Sequence, residues 1–502
     1  MNIVALPSRT RLGLTILGLA VPLGVLGDQL LRAVPWGLNL TVCVVALVAA
    51  GAWLVHRHRI PVSADAPWLA LSVLLCAAAF VRRDSLTLKA LDLVALAVAL
   101  GFAALAVQGA SVRLRGISAY AIATCAAAAH AWFGALRLVF GDIAWGTLPA
   151  RGRWRELGAV GIGLAIAAPL LLVFGALLVS ADATFESLVT SVRFDVRNAA
   201  SHVFFAGVCG GLVAGYLRGA ILGGAEVAAR GERLSPPGLP FATTATALGA
   251  LDLLFLLFVA GQAGWLFGGA RTIAETTGLT IAEYARRGFF ELVTVAALVL
   301  PLLLVADWVT ERDTPQQRTS FRALATLTVL LVVALMGSAL LRMVLYVQAF
   351  GLTEQRFYAT AFMVWLAGVF GWFIGTVLRG ARARFAFGAL VQAMALLAGL
   401  HLLNPDAFIT RVDAARAAAG RPFDAAYVAG ELSADAVPAL LEALPRLGPA
   451  DRRDVAQRLL TRWGAASSRG WRSWNWAESR ARALVQAQRD ALTSIPASPP
   501  PR

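Results

Sequence analysis

Residues 340–362 read LLRMVLYVQAFGLTEQRFYATAF. The stretch lies in an apolar run that begins near Leu324, breaks at Phe350-Gly351 and turns apolar again near Phe357. Arg342 stands among Leu340, Leu341, Met343, Val344 and Leu345. A charge in such surroundings is costly, faces the interior of a helix bundle, and marks a functional candidate by default. The break carries Gly351-Leu352-Thr353-Glu354, with Arg356 close by, and the letters Gly278-Leu279-Thr280 introduce an earlier apolar run. The pattern is that of a membrane bundle with a polar interior.

Composition agrees. The hydrophobic fraction is 59%, the mean hydropathy is +0.71, and apolar runs recur through Leu403. A soluble chain of 502 residues would divide into several cores separated by polar surface. Leu157–Ala181 carries no charge and exceeds the roughly 20 residues that a bilayer crossing requires. We count about twelve spans by length and apolarity. Their cores are Leu12–Leu31, Gly37–Val55, Trp68–Val81, Leu88–Val107, Ile117–Phe140, Leu157–Val179, His202–Leu222, Leu248–Phe267, Phe289–Val309, Leu324–Val347, Phe357–Leu378 and Phe385–Leu403. The fold class is all-α, a polytopic helix bundle over residues 1–403, in which the loop 224–240 separates two groups of spans. Asp182–His202 reads as an amphipathic helix lying in the membrane interface. The first span, behind Arg9 and Arg11, reads as retained rather than cleaved.

The two copies of Gly-Leu-Thr suggest a repeat. Gly278–Arg312 and Gly351–Arg384 each open with those letters, and each reaches a phenylalanine eleven residues on, Phe289 and Phe362. A two-helix unit repeated in one orientation is a device of many transporters, and chance in a low-diversity sequence is the competing explanation.

From Asn404 the composition becomes that of a soluble helical tail, residues 404–493, with a Pro-rich disordered end at 494–502. Asn404-Pro405-Asp406 is a helix start: a cap, a proline at the first helical position and an acid in the first turn. Further helices are expected over Asp424–Gly430, Ser433–Leu444, Pro449–Trp463 and Trp474–Leu492.

The net charge is +15, almost entirely from arginine, with Lys89 the single lysine. The basic residues sit in short loops, where membrane topology and anionic lipid explain them. The first 403 residues hold no contiguous basic face for nucleic acid. Orientation stays open: Arg9 and Arg11 place the N-terminus in the cytoplasm. With an even span count, the denser clusters Arg151/Arg153/Arg155, Arg312/Arg318/Arg322 and Arg379/Arg382/Arg384 then fall on the other side.

Four motifs resemble a bacterial multi-pass membrane family catalogued as a domain of unknown function. They are GLTIAEYARRGFFEL, MGSALLRMVLYVQAFGLTEQRFYA, NPDAFITRVDAAR followed by LSADAVPALL, and WRSWNW. The resemblance covers most of Asp182–Ala483. It implies fold and membrane location and brings no reaction, substrate or cofactor.

The candidate residues are the polar groups of the spans: Arg342, Glu291, Asp252, Asp307, Glu354 and Arg356. Arg342 is expected to pair with Glu291, Asp252 or Asp307, either in a polar pathway or to fix helix register. Trp471, Trp474 and Trp476, interleaved with Arg469, Arg472, Arg480 and Arg482, are expected to dock the tail on the bundle or the headgroup layer. Cys43, Cys76, Cys125 and Cys209 lie in apolar runs without metal spacing, and the five histidines make no metal motif. No nucleophile elbow, P-loop or dinucleotide fingerprint occurs. The reading is therefore a non-enzymatic scaffold or signalling partner of the bacterial inner membrane, without cofactor. Its partners are the bilayer and, through the tail, another membrane or cytoplasmic protein. A transporter of a small solute or lipid is the first alternative, and a lipid-acting membrane enzyme the second.

Overall fold

The computed structural model describes residues 8–109, 117–145, 196–223, 238–277, 289–465 and 470–495, with four isolated helical positions between 167 and 181. The expected sixth span, the amphipathic helix at Asp182–His202 for most of its length, most of the loop 224–240, and the first Gly-Leu-Thr copy lie outside the described residues.

Among the described residues the fold is all-α and no strand forms. The membrane part comprises α1 (Ser8–Leu31), α2 (Leu38–His58), α3 (Ala66–Arg82), α4 (Leu86–Val107), α5 (Ile117–Arg137), α6 (Val196–Leu222), α7 (Phe241–Thr277), α8 (Phe289–Val309), α9 (Pro315–Phe350), α10 (Glu354–Thr376) and α11 (Arg382–Leu403). Nine of these are long and apolar enough to cross a membrane. The chain is a multi-pass membrane protein. The tail adds α12 (Pro405–Ala418), α13 (Val437–Ala443), α14 (Pro449–Trp463), α15 (Trp476–Ala487) and α16 (Arg489–Thr493). The expected helix at 474–492 is thus two, parted at Gln488.

Local sequence sets the ends. Thr314 and Gln317 make a reciprocal capping box ahead of Pro315, each side chain taking the other's backbone N–H. Asn404 closes α11 in the left-handed region, at φ 58°, and its carboxamide then caps α12 through the N–H of Ala407. Gly351 turns α9 into α10 at φ 86°, a conformation that costs glycine nothing.

Two groups of helices each have a core. One packs Ile16 and Ala20 of α1 on Leu54 of α2 and on Ala214 and Leu217 of α6. The other packs Leu248 of α7, Leu303 of α8, Phe321 and Val332 of α9 and Phe370 of α10. Helix α11 joins them: Phe385 packs in the second, while Met394 and Leu397 pack on α2–α4. Between membrane helices lipid is as apolar as protein, so close packing and interhelical hydrogen bonds provide the cohesion. Within the second group α7 and α9 run parallel, in register. Thr328 donates to Asp252 at 2.6 Å, and ten residues further along each helix Ser338 donates to Gln262. The tail's core is continuous with the membrane helix ends: Leu440, Val455, Leu459 and Val485 cluster with Leu88, Leu352, Phe357 and Leu400.

The faces follow from contacts. Trp474 meets the start of α2, Arg83 at the end of α3 meets Asp435, and Gly351 meets Asp413, so those turns lie on the tail face. The start of α1 lies on the other face, where Arg11 shares a groove with Arg57 and Arg59 at the end of α2. The turns at 310–314 and 377–381 lie there too, joined by Asp307 to Arg312 and Arg382. The N-terminal end of α1 and the tail therefore occupy opposite faces, and an odd number of crossings separates them. The even count behind the conflicting charge votes is corrected.

Candidate functional site

Arg342 is buried, as its neighbours in sequence require. None of the three expected pairings forms. Asp252 lies beside Thr328, about 21 Å from Arg342 along α9 at 1.5 Å per residue. Asp307 stands at the far end of α9, with Oδ1 on Arg312 at 2.8 Å and Oδ2 on Arg382 at 2.5 Å. Glu291 is exposed at the start of α8. The sequence put these groups in neighbouring spans, but could not give their depths.

Glu354 and Arg356 lie where polar groups converge, at the junction of the tail with the α3–α4, α9–α10 and α11–α12 turns. Asp435 is its hub. Its carboxylate takes Arg83 Nη1 at 2.9 Å, the N–H of Asp84 at 2.6 Å and the N–H of Ser85 at 3.3 Å. It thereby caps the positive end of α4 with an anion. Arg83 spans the joint, donating also to the carbonyl of His401 at the end of α11 through Nε at 3.1 Å. Asn404 donates to the carbonyl of Asp435 at 3.1 Å. Arg83 and Asp435 are both buried, so this is an ion pair whose desolvation is offset by several further bonds.

Two more carboxylates face the hub. Asp406 is fully buried. Its Oδ2 accepts from Ser433 N at 3.0 Å and Ser433 Oγ at 2.5 Å, while Oδ1 has no hydrogen-bond partner. Burial, and then the nearby charges of Glu354 and Asp435, push its carboxyl up to about 7 against the bonds from Ser433. Glu354 accepts from Ser85 Oγ at 3.2 Å, and its N–H donates to the hydroxyl of Tyr427 at 2.7 Å. Lys89 pairs with Asp84 at 3.0 Å, and one turn deeper His401 meets Asp92 at 2.8 Å. Among the described residues no group of three or more histidines, cysteines or acids is arranged to hold a metal ion.

A second clasp holds the α9–α10 turn. Asp413 accepts from the N–H of Leu352 at 2.8 Å and from Arg416, and Arg416 donates to the last carbonyls of α9, Gln348 and Ala349. A side chain at Gly351 would meet Arg416 and Asp413 within 2.7–2.8 Å. Arg356 donates to the carbonyl of Gly351 and lies over the Tyr346 ring at 4.0 Å.

A third clasp is Asn475. Its Nδ2 donates to the last carbonyls of α3, Phe80 at 2.9 Å and Arg83 at 2.7 Å, while Oδ1 caps α15 through Glu478. The carbonyl of Trp474 accepts from the N–H of Leu38 at 3.1 Å, and a Cβ on Gly37 would meet that carbonyl at 2.5 Å. The tail thus docks through the tryptophan segment, but by its backbone and Asn475. The rings of Trp471, Trp474 and Trp476 stay exposed, at 62%, 42% and 44%.

Sequence reasoning named Glu354, Arg356 and the tryptophans, and passed over Arg83, Asp406, Asp413, Asp435 and Asn475 as site residues. The signal lies in the motifs NPD, LSAD, GLTE and WNW, which meet at one joint.

A family model described as Domain of unknown function (DUF4153) matches residues 69–443. No curated protein and no solved structure matches the chain.

Proposed function

The chain belongs to the DUF4153 family, and we propose that it is a non-enzymatic scaffold or signalling partner of the bacterial inner membrane. In this reading residues 1–403 are the membrane domain, 404–493 the tail and 494–502 a Pro-rich end. The observation that carries it is the triple clasp. Arg83–Asp435 and Asn475 hold the tail on the α3–α4 turn, and Asp413 with Leu352 and Arg416 holds it on the α9–α10 turn. A tail so held presents a defined surface whose position follows the helices beneath it.

Charge supports an orientation. The face opposite the tail holds Arg9, Arg11, Arg57, Arg59, Arg312, Arg318, Arg379, Arg382 and Arg384 in short turns or helix ends. Among the described residues the tail-side turns and helix ends hold Arg32, Arg82, Arg83, Lys89, Arg197 and Arg356, and there Asp28, Asp84 and Asp435 supply countercharge. Retention of arginine in the cytoplasm puts the tail on the outer side, so its partner is a protein of that side rather than a cytoplasmic one. Photo-crosslinking residues placed at the exposed tail positions Gln457 and Thr461 in living cells test the scaffold. Discrete adducts that disappear in Arg83→Ala support it. An uncrosslinked chain at both positions contradicts it.

A transporter is the second reading, favoured by the buried acid–histidine pair Asp92–His401 within the bundle. Proton-coupled uptake into vesicles, lost in Asp92→Asn, would establish it in place of the scaffold.

A further inference from the structure

We propose that Trp471, Trp474 and Trp476, with Arg472 and Arg480, form a lipid anchor that seats the tail among the phosphate headgroups of the tail-side leaflet. The first support is depth. The carbonyl of Trp474 is bonded to Leu38, the first residue of the apolar helix α2, and Asn475 is bonded to the last turn of α3. Both helices end at this level, so the segment is pinned where hydrocarbon gives way to headgroups. Tryptophan concentrates at that depth, because its ring is apolar and its indole N–H wants a polar partner.

Charge is the second support. Arg480 lies over the ring of Trp476 at 5.1 Å. Neither Arg472 nor Arg480 forms an ion pair with a described acid, whereas neighbouring Arg482 is committed to Glu478 at 2.9 Å. Two guanidinium groups beside exposed rings complement a phosphate, and an anionic leaflet attracts each of them further. A groove of about 370 Å³ opens between Trp471, Trp474, Glu478 and Arg482, and gives a headgroup room beside the rings.

The third support is that three exposed rings within six residues have no role in the tail's own core. The buried members there are Trp463, Ala477, Ala481 and Val485, on the other side of α15. If the rings merely filled the joint they would be covered. Instead the backbone makes the joint and the rings point away from it.

The test uses the full-length chain in vesicles of phosphatidylcholine and phosphatidylglycerol. The four native cysteines are replaced and Ser479→Cys, exposed beside the patch, carries a fluorophore. Nitroxide-headgroup lipid should quench the label strongly and iodide in the aqueous phase weakly. Arg472→Gln with Arg480→Gln, both on the surface, should lose most of the lipid quenching, as should Trp471→Ser with Trp476→Ser. In each variant an unchanged protease pattern at the tail would show that docking persists. Quenching by iodide alone overturns the proposal, because the patch then faces water. Protection from both quenchers overturns it too, because a second copy or another protein then covers the rings. Lipid quenching that ignores both pairs of substitutions also refutes the anchor.

Discussion

Asp406 gives the tail joint a pH dependence of definite sign. Its carboxyl is pushed up to about 7 by burial and by Glu354 and Asp435, so the docked state holds a proton that an undocked, hydrated Asp406 releases near its ordinary value of 3.8. Between those limits the docked state binds more protons, so stability falls as pH rises. Below about pH 4 both states are protonated, and the group contributes no dependence. Above about pH 7 the full cost of the buried ionised carboxylate is present, on the order of 4 kcal/mol at 1.36 kcal/mol for each tenfold change in proton affinity. Asp406→Asn keeps an oxygen for Ser433 and removes the ionisation. The variant should match wild type near pH 4 and exceed it by up to about 4 kcal/mol near pH 8. Thermal unfolding of the detergent-purified chain, with protease release of the tail as a second readout, gives the two pH profiles. Asp413, also raised by its burial, slopes the same way in both proteins, so it drops out of the difference between them. Parallel profiles, or a variant that gains stability toward low pH, would refute the reasoning.

Other substitutions separate the clasps. Arg83→Leu strands the buried Asp435 and should cost about 3–5 kcal/mol, with partial recovery in Arg83→Leu/Asp435→Leu, read by thermal melting. Asn475→Ala removes a helix cap and two bonds to α3 and should cost about 1–3 kcal/mol, exposing the tail to protease before the bundle melts. Gly351→Ala, at φ 86° and crowded by Asp413 and Arg416, should destabilise by about 1–3 kcal/mol and loosen the same tail. Asp307→Ala breaks the pairs with Arg312 and Arg382 on the opposite face. It should lower the melting temperature while leaving the tail's protease protection as in wild type.

The class of this fold is written in the sequence because lipid demands it. Long apolar runs such as Phe289–Val309 have few stable alternatives to a helix, and the expected boundaries of that helix and of Pro449–Trp463 are those observed. Asn404-Pro405-Asp406 was legible as a cap, yet nothing in it revealed that Asp406 would be buried against Ser433. Charges inside spans drew attention to Arg342, whereas the joint is built from charges at span ends, where the sequence cannot tell a solvated turn from a buried one. Arg83, Asp435 and Asn475 lie far apart along the chain, and only the folded arrangement of the turns brings them together. The tryptophans mark the docking segment, whereas the contact with the bundle is made by a carboxamide and a carbonyl that no pattern of letters announces.

Labelling with a membrane-impermeant maleimide on intact cells tests the arrangement most directly, using a cysteine-free chain with single cysteines at two exposed positions, Ser320 at the arginine-rich face and Gln457 in the tail. The account predicts that Gln457→Cys is labelled on intact cells and Ser320→Cys only after permeabilisation. Labelling of both from the same side would contradict the opposite placement of tail and arginine-rich turns on which the whole reading depends.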